Sequence, residues 1–248
     1  SSIENFESFE AVINLAGEPI ADKRWTDTQK KIICNSRWDI TSELVSKINS
    51  CDAPPPVFLS GSAIGYYGNQ GDKLVTEETP PHNEFTHELC AKWETIAQSV
   101  DQAKTRVVTL RTGVVLTEKG GALGKMALPF KLGAGGTLGS GSQYLAWIHL
   151  QDMVRAISFL LENSACSGAF NLTAPEPVTN KMFSKALAKS LNRPCLFNVP
   201  GFVMKIAMGE SSTMILEGQR VIPKKLTTAG FSFDFPSINE ALREIYRA

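Results

Sequence analysis

The sequence predicts an α/β fold, a parallel sheet with helices on both faces, and three observations predict it. Short β-branched runs are bounded by breakers. Long helical patterns separate those runs, as parallel strands require. The runs themselves are apolar with little alternation, as in strands covered on both sides.

The first run is residues 10–16, EAVINLA, ending at Gly17. Thr26-Asp27-Thr28-Gln29 then fits a capping box, with Thr26 as N-cap and Gln29 three positions on. The helix it opens places Ile33, Ile40, Leu44 and Ile48 on one stripe. Residues 56–60, PVFLS, form the second run, and LSGSAIGYYG (59–68) leaves it. A second helix carries Phe85, Leu89, Trp93, Ile96 and Val100 at spacings of three and four. Residues 106–116, RVVTLRTGVVL, read as one further strand.

After residue 117 the character changes. Residues 118–141 hold eight glycines in 24 residues and read as a looping excursion. A strand-like YLAWIHL follows, then a helix from about 153 to 163 with Asp152 placed as its N-cap. GAFNLTA resembles one more sheet strand, and the tail from 176 reads as short helices with Pro and Gly breaks. The expected division is a nucleotide-binding part (1–117 and 150–174) interleaved with a smaller C-terminal substrate-binding part (118–149 and 175–248).

Composition excludes several classes. Lys plus Arg equals Asp plus Glu, 25 each, with no basic block, so neither nucleic acid nor an anionic membrane is expected as a partner. The five cysteines are odd in number and scattered, and the three histidines sit far from any pair of them. Neither a disulfide framework nor a metal site is expected, and a reducing, cytoplasmic compartment fits. No apolar run approaches the ~20 residues that span a bilayer. The N-terminal SSIENFESFE is acidic and polar, unlike a signal peptide.

In open parallel sheets ligands sit beyond the carboxyl ends of the strands. Three stretches of small residues gather there: NLAGE (14–18), SGSAIGYYG (60–68) and RTGVV (111–115). Small residues let a flat or phosphorylated ligand approach backbone N–H groups, although Gly17 and Gly61 also suit plain tight turns. Arg37 lies four residues past Ile33 and three before Ile40, within the apolar stripe. A nucleotide phosphate would satisfy it; a snorkelling stem or an acidic partner is the alternative. Lys92 follows Glu88 by four residues, a spacing that also makes an ordinary exposed pair. His149, at the join of WIHLQD to a helix, belongs either to the core or to the cleft beside the glycine loop.

In order along the chain, VINLAG, LSGSAIGYYG and GSGSQYLAWIHLQDMVRAI resemble the extended short-chain dehydrogenases/reductases. More narrowly, NLAGEPIADKRW, HELCAKWE, GSGSQYLAWIHL and VIPKKLTTAGFSF resemble bacterial epimerase-family proteins, nucleoside-diphosphate-sugar epimerase-like and sometimes labelled cell-division inhibitors. The resemblance runs along essentially the whole chain. It implies a Rossmann-like sheet and NADP or NAD as cofactor. Asn14, Leu15, Ala16 and Gly17 would line the dinucleotide, with Ser60, Thr112 and Gly113 on the same edge, and Arg37 would reach a cofactor phosphate. Ser62 falls at the family's catalytic serine, and Lys92 at the lysine that holds the nicotinamide ribose. Tyr67 and His149, with Ser62, would meet substrate. Small hydroxyls and phenols suit a site that polarises a carbonyl or alcohol beside a nicotinamide.

Two departures qualify it. The family begins with a strand, a glycine-rich turn and a helix that cradle the pyrophosphate. Thirteen residues before Asn14 cannot hold a unit of ~30 or more, so the natural chain is expected to start earlier and to bind dinucleotide more tightly in that longer form. The usual tyrosine position is Glu88, so the proton donor is expected from the turn after Ser62, with Tyr66 preferred. Two functions follow: an NAD(P)-dependent oxidoreductase or epimerase acting on a nucleotide sugar or similar alcohol, or a dinucleotide-binding sensor or interaction protein with little turnover. The expected partner is a small-molecule substrate, with a homodimer allowed.

Overall fold

The computed structural model describes residues 6–247; residues 1–5, the first half of the acidic N-terminal stretch, and residue 248 lie outside the described residues. Four strands form the main sheet in the order Val12–Asn14, Val57–Ala63, Arg106–Thr112, Gly168–Leu172. All three pairings are parallel. The two-residue alternation of each strand sorts its side chains onto two cores. Phe58 and Val107 pack with Val45 and Ile48 of the Asp27–Asn49 helix, Ala97 of the Phe85–Gln98 helix and Val100 just beyond it. Val57, Leu59, Val108 and Leu110 face the other way, onto Met153, Ala156 and Leu160 of the Leu150–Glu162 helix. The chain is therefore an α/β protein with a parallel sheet covered on both faces.

The Asp27–Asn49 helix starts where the capping box places it. Thr26 is extended, and its side chain accepts from the Gln29 N–H, satisfying one donor that the first turn leaves open. Its buried face is turned from the expected stripe. Ile33, Cys34, Thr41, Val45 and Ile48 are buried, whereas Ile40 is 39% exposed.

Four other expectations are corrected. Residues 106–116 are two strands, because the chain leaves the main sheet at Gly113 and Val114–Leu116 pairs with Trp147–His149 instead. A Cβ on Gly113 would lie 2.7 Å from the Ala146 carbonyl oxygen, so the crossing requires glycine. YLAWIHL likewise splits into Tyr144–Leu145 and Trp147–His149, on different sheets. The glycine-rich excursion contains a helix, Gly121–Lys131, because Leu123, Ala127 and Phe130 share a buried face on the Trp147 cluster. Finally, the N-cap of the Leu150–Glu162 helix is His149, and Asp152 is inside.

Asp152 is wholly buried and accepts from the backbone N–H groups of Asp234 and Phe235, both at 2.9 Å, and from Arg155 at 2.8 Å. It thereby ties the C-terminal segment to the sheet. Asp152→Ala would leave two backbone donors without acceptors. A loss of about 2–4 kcal/mol is expected in urea unfolding. Among the described residues, no helix is long and apolar enough to cross a membrane.

Candidate functional site

The three stretches of small residues do meet at one end of the parallel sheet. Asn14, Ser60 and Thr109 are in register across it, and Ala63 pairs with Thr112. The first strand ends in a turn that Asn14 builds. Its Nδ2 donates to Thr41 Oγ1 at 3.0 Å, and its Oδ1 accepts from the Ala16 N–H at 3.1 Å. Leu15, Ala16 and Gly17 are left exposed beyond the strand end.

Arg37 comes to this turn. A Cβ on Gly17 would lie 2.8 Å from the guanidinium carbon, so glycine lets the arginine close on the backbone. Arg37 donates from Nη2 to the Glu18 carbonyl and from Nη1 to the Ile33 carbonyl, each at 3.0 Å, and from Nη1 to Ser36 Oγ at 3.4 Å. Its acceptors are therefore backbone carbonyls and a hydroxyl, so the acidic partner offered as an alternative to a phosphate is not among them. The guanidinium also lies 5.3 Å from the Trp93 ring centre. Burial pulls the Arg37 pKa down from its usual value. Among the described residues these bonds use three of its five N–H groups.

LSGSAIGYYG proves to begin inside the strand. Val57–Ala63 carries Ser60, Gly61 and Ser62, and a 3₁₀ turn, Ile64–Tyr67, follows. Gly68, with φ of 62°, then turns the chain away. Ser60 is fully buried in the sheet, its hydroxyl 3.3 Å from the Gly61 carbonyl. Thr112, at the end of the next strand, donates to the Leu110 carbonyl at 3.2 Å. The space beside Gly61 is taken by the Trp93 ring, 2.9 Å from where a Cβ would sit.

Ser62 joins a buried polar network that the sequence reading missed. Its hydroxyl donates to Glu94 Oε1 at 2.7 Å. Arg111 grips the same carboxylate with two hydrogen bonds, Nε to Oε1 and Nη2 to Oε2, both at 2.8 Å. Arg111 and Glu94 side chains are 6% and 11% exposed. Burial alone would lower the Arg111 pKa, but the hydrogen bonds and charge of Glu94 override it and hold the guanidinium firmly protonated. The other end of Arg111 donates to the Tyr67 hydroxyl at 3.0 Å, and that hydroxyl donates to Asn171 Oδ1 at 2.7 Å.

This network separates the two tyrosines. Tyr67 is fully buried, with its hydroxyl engaged on both sides and its pKa pushed up by burial to about 12. The structure thus places Tyr67 in the core instead of against a substrate. Tyr66 is half-buried, with the Arg111 guanidinium 3.5 Å from its ring centre and the His87 and Tyr67 rings against it edge-on. Its backbone carbonyl bonds His87 Nδ1 at 2.7 Å, while among the described residues no group bonds its phenol. Tyr66 and Glu94 line a hollow of about 410 Å³ with Ala91, Thr95, Gln98 and Ser99.

Two further expected residues are placed elsewhere. Lys92 is on the exposed face of the Phe85–Gln98 helix, its ammonium 3.9 Å from the Trp38 ring centre. Glu88 is exposed beside it in helical phase. The face turned to the Ser62 strand carries Thr86, Cys90 and Glu94: a Cβ on Gly65 would meet Thr86 and Cys90, and Glu94 holds Ser62. His149 is buried away from the cleft. Its Nδ1 accepts from the Gln151 N–H at 3.2 Å, so Nε2 carries the proton and donates to Glu244 at 3.1 Å, while the ring stacks on Phe235. That makes His149 a helix cap and an anchor for the C-terminal helix Ile238–Ile245.

The exposed Leu15–Gly17 backbone and the N–H groups of Arg37 lie together beyond the first strand, and donors of this kind suit the phosphates of a dinucleotide. Among the described residues no group of three or more His, Cys, Asp or Glu side chains could hold a metal ion.

Comparisons with known proteins bear on this site. The model of the NAD dependent epimerase/dehydratase family matches residues 2–173, and that of a domain of unknown function, DUF1731, matches 199–245. An epimerase family protein of Mycobacterium tuberculosis is 42% identical over 94% of this chain and 77% of its own length. One from Staphylococcus aureus is 38% identical over 97% of this chain and 80% of its own. Among solved structures, the human epimerase family protein SDR39U1 (isoform 2) with NADPH superposes with a TM-score of 0.94 at 35% identity, covering 98% of this chain and 83% of that one. A nucleoside-diphosphate sugar epimerase from Corynebacterium glutamicum gives 0.78 at 28% identity, covering 96% of this chain and 46% of that one.

Proposed function

This chain belongs to the NAD dependent epimerase/dehydratase family, and on that premise we propose that it is an NAD(P)-dependent oxidoreductase or epimerase acting on a nucleotide sugar or a similar alcohol or carbonyl compound. The observation that carries the reading is the unbonded phenol of Tyr66, held by Arg111 at the strand end that also carries Ser62. A bound nicotinamide would take or give the hydride. Asn14, Leu15, Ala16 and Gly17 would carry the dinucleotide, with Ser60, Thr112 and Gly113 shaping the floor beneath it. Arg37 would direct its remaining N–H groups at a phosphate. Tyr66 would hold the proton that enters or leaves the substrate oxygen, and Ser62 would orient that oxygen. Residues 118–149 and 175–248 would supply the substrate's surroundings. The human family member solved with NADPH and the NAD dependence in the family's description support either cofactor.

Arg37 supplies the test. Arg37→Ala should weaken NADPH binding by about 2–3 kcal/mol in calorimetric titration, the worth of charge-assisted hydrogen bonds to a phosphate. The loss should be larger for NADPH than for NADH, which lacks the 2′-phosphate. Equal binding of both cofactors by variant and parent would make Arg37 a structural residue of the Gly17 turn.

A second reading, a dinucleotide-binding protein with little turnover, is favoured by one observation. The helix face turned to Ser62 offers Thr86 and Cys90, so the neighbouring helix supplies neither a phenol nor an ammonium to the reacting oxygen. Binding of NADPH without turnover on any alcohol or carbonyl panel would select it.

A further inference from the structure

Resting on the function proposed above, we infer that Glu94 is a positioning residue that fixes Ser62 as a hydrogen-bond acceptor, so that the site recognises its substrate as an alcohol through Ser62 and leaves Tyr66 as its hydrogen-bond donor. A serine hydroxyl has one proton to give and two lone pairs to receive. Ser62 is 2.7 Å from Glu94 Oε1. Both oxygens of that carboxylate accept from the Arg111 guanidinium, so Glu94 is an acceptor on each side. Two acceptors cannot share a contact of that length without a proton, so the Ser62 proton lies on the Glu94 side.

The neighbours reinforce this direction. Cys90, fully enclosed, is against Ser62 and Ala63, and burial pushes its pKa up to about 12, so it remains a thiol. A thiol does not draw the serine proton away from a carboxylate, and it occupies at most one of the two lone pairs. The Tyr67 hydroxyl spends its proton on Asn171 and cannot serve. Tyr66 is the phenol left, and Arg111 holds its ring from the same guanidinium that holds Glu94. One buried ion pair therefore fixes the Ser62 proton and packs against the Tyr66 ring. A bound alcohol donates a hydrogen bond to Ser62 and accepts one from Tyr66, the arrangement in which Tyr66 delivers the proton of a reduction; no proton passes to Ser62. A carbonyl at the same place makes one hydrogen bond and faces an oxygen at Ser62.

The experiment uses the chain with serine labelled at ¹³Cβ in mixed H₂O and D₂O, with the Ser62 signal assigned through Ser62→Ala. A proton held by Glu94 exchanges slowly and splits the Ser62 signal. Affinities for two probes, cyclohexanol and cyclohexanone, are compared by saturation-transfer NMR without nicotinamide, so neither can react. The expected result is a split Ser62 signal and a preference for cyclohexanol of about fivefold, the weight of one net hydrogen bond. Glu94→Leu combined with Arg111→Met, which leaves Ser62 no carboxylate to donate to, should abolish the splitting and level the two affinities. An unsplit Ser62 signal in the parent chain overturns the inference, and so does equal or reversed probe preference, or failure to bind either probe. If the double variant does not fold, the parent's signal and probe ratio decide alone. NADPH titration alongside separates the two proposals: no NADPH binding with the alcohol preference intact overturns the function and supports the polarity of Ser62.

Discussion

Glu94→Ala is expected to remove about 3–5 kcal/mol of stability, the usual result of stripping one partner from a buried ion pair. The Arg111 guanidinium would then lie buried beside the Tyr67 hydroxyl and the Glu77 carbonyl without its carboxylate partner, and Ser62 would lose its acceptor. Against a typical total of 5–15 kcal/mol, much of the stability would be gone. Urea unfolding followed by circular dichroism measures it. The companion experiment isolates the cause. Glu94→Leu combined with Arg111→Met removes both charges at similar volume and should recover most of the loss, since the attraction of a buried pair does little more than offset its desolvation. A double variant as unstable as Glu94→Ala would show that packing, not the orphaned charge, is responsible.

Tyr66→Phe should leave stability and NADPH affinity unchanged while cutting turnover at least about 100-fold on any substrate found, the low end of the contribution of general acid–base catalysis. The substitution removes a hydroxyl that bonds no group among the described residues, so the ring keeps its contacts with Arg111, His87 and Tyr67. Tyr67→Phe is the contrasting control. It deletes a buried donor to Asn171 and an acceptor of Arg111, so it should lower stability by about 1–3 kcal/mol. Unchanged turnover in Tyr66→Phe, with Ser62→Ala also unchanged, would leave the non-catalytic binding reading as the better one.

The strands, the covered sheet and the Thr26 cap are legible in the sequence because each rests on local signals: β-branched runs, helical periodicity, a hydroxyl at the right offset. The gathering of 14–18, 60–68 and 111–115 at one edge follows from parallel topology alone. Helical phase is harder. Large apolar residues suggest a face centred on Leu89 and Trp93, on which Glu88 and Lys92 read as an exposed pair, and only the family resemblance brings them toward the site. Cys90 and Ala97 are small and quiet in such a pattern, yet they are buried and rotate the face so that Glu94 points inward. The Glu94–Arg111 pair did leave a signal: an arginine inside RVVTLRT needs a buried partner as much as Arg37 was thought to. Which carboxylate answers it depends on tertiary packing 17 residues away along the chain. His149 was open between core and cleft because one spacing serves both.

The main sheet has a consequence for how the chain reaches its native state. Val12 pairs with Phe58, Val57 with Arg106 and Val108 with Gly168, so the ladders join residues 46, 49 and 60 apart in sequence. No hairpin links any two neighbours in it, and each pairing waits on an intervening helix to bring its strand back. Loop closure must come before the contacts that reward it, which slows folding relative to helical proteins of similar stability. The Val57–Ala63 and Arg106–Thr112 strands share the longest ladder and enclose the Phe85–Gln98 helix between them in sequence. That unit is the natural nucleus. Substitutions at its interface, such as Val107→Ala, should slow refolding, while those in the C-terminal anchor around Asp152 should mainly speed unfolding.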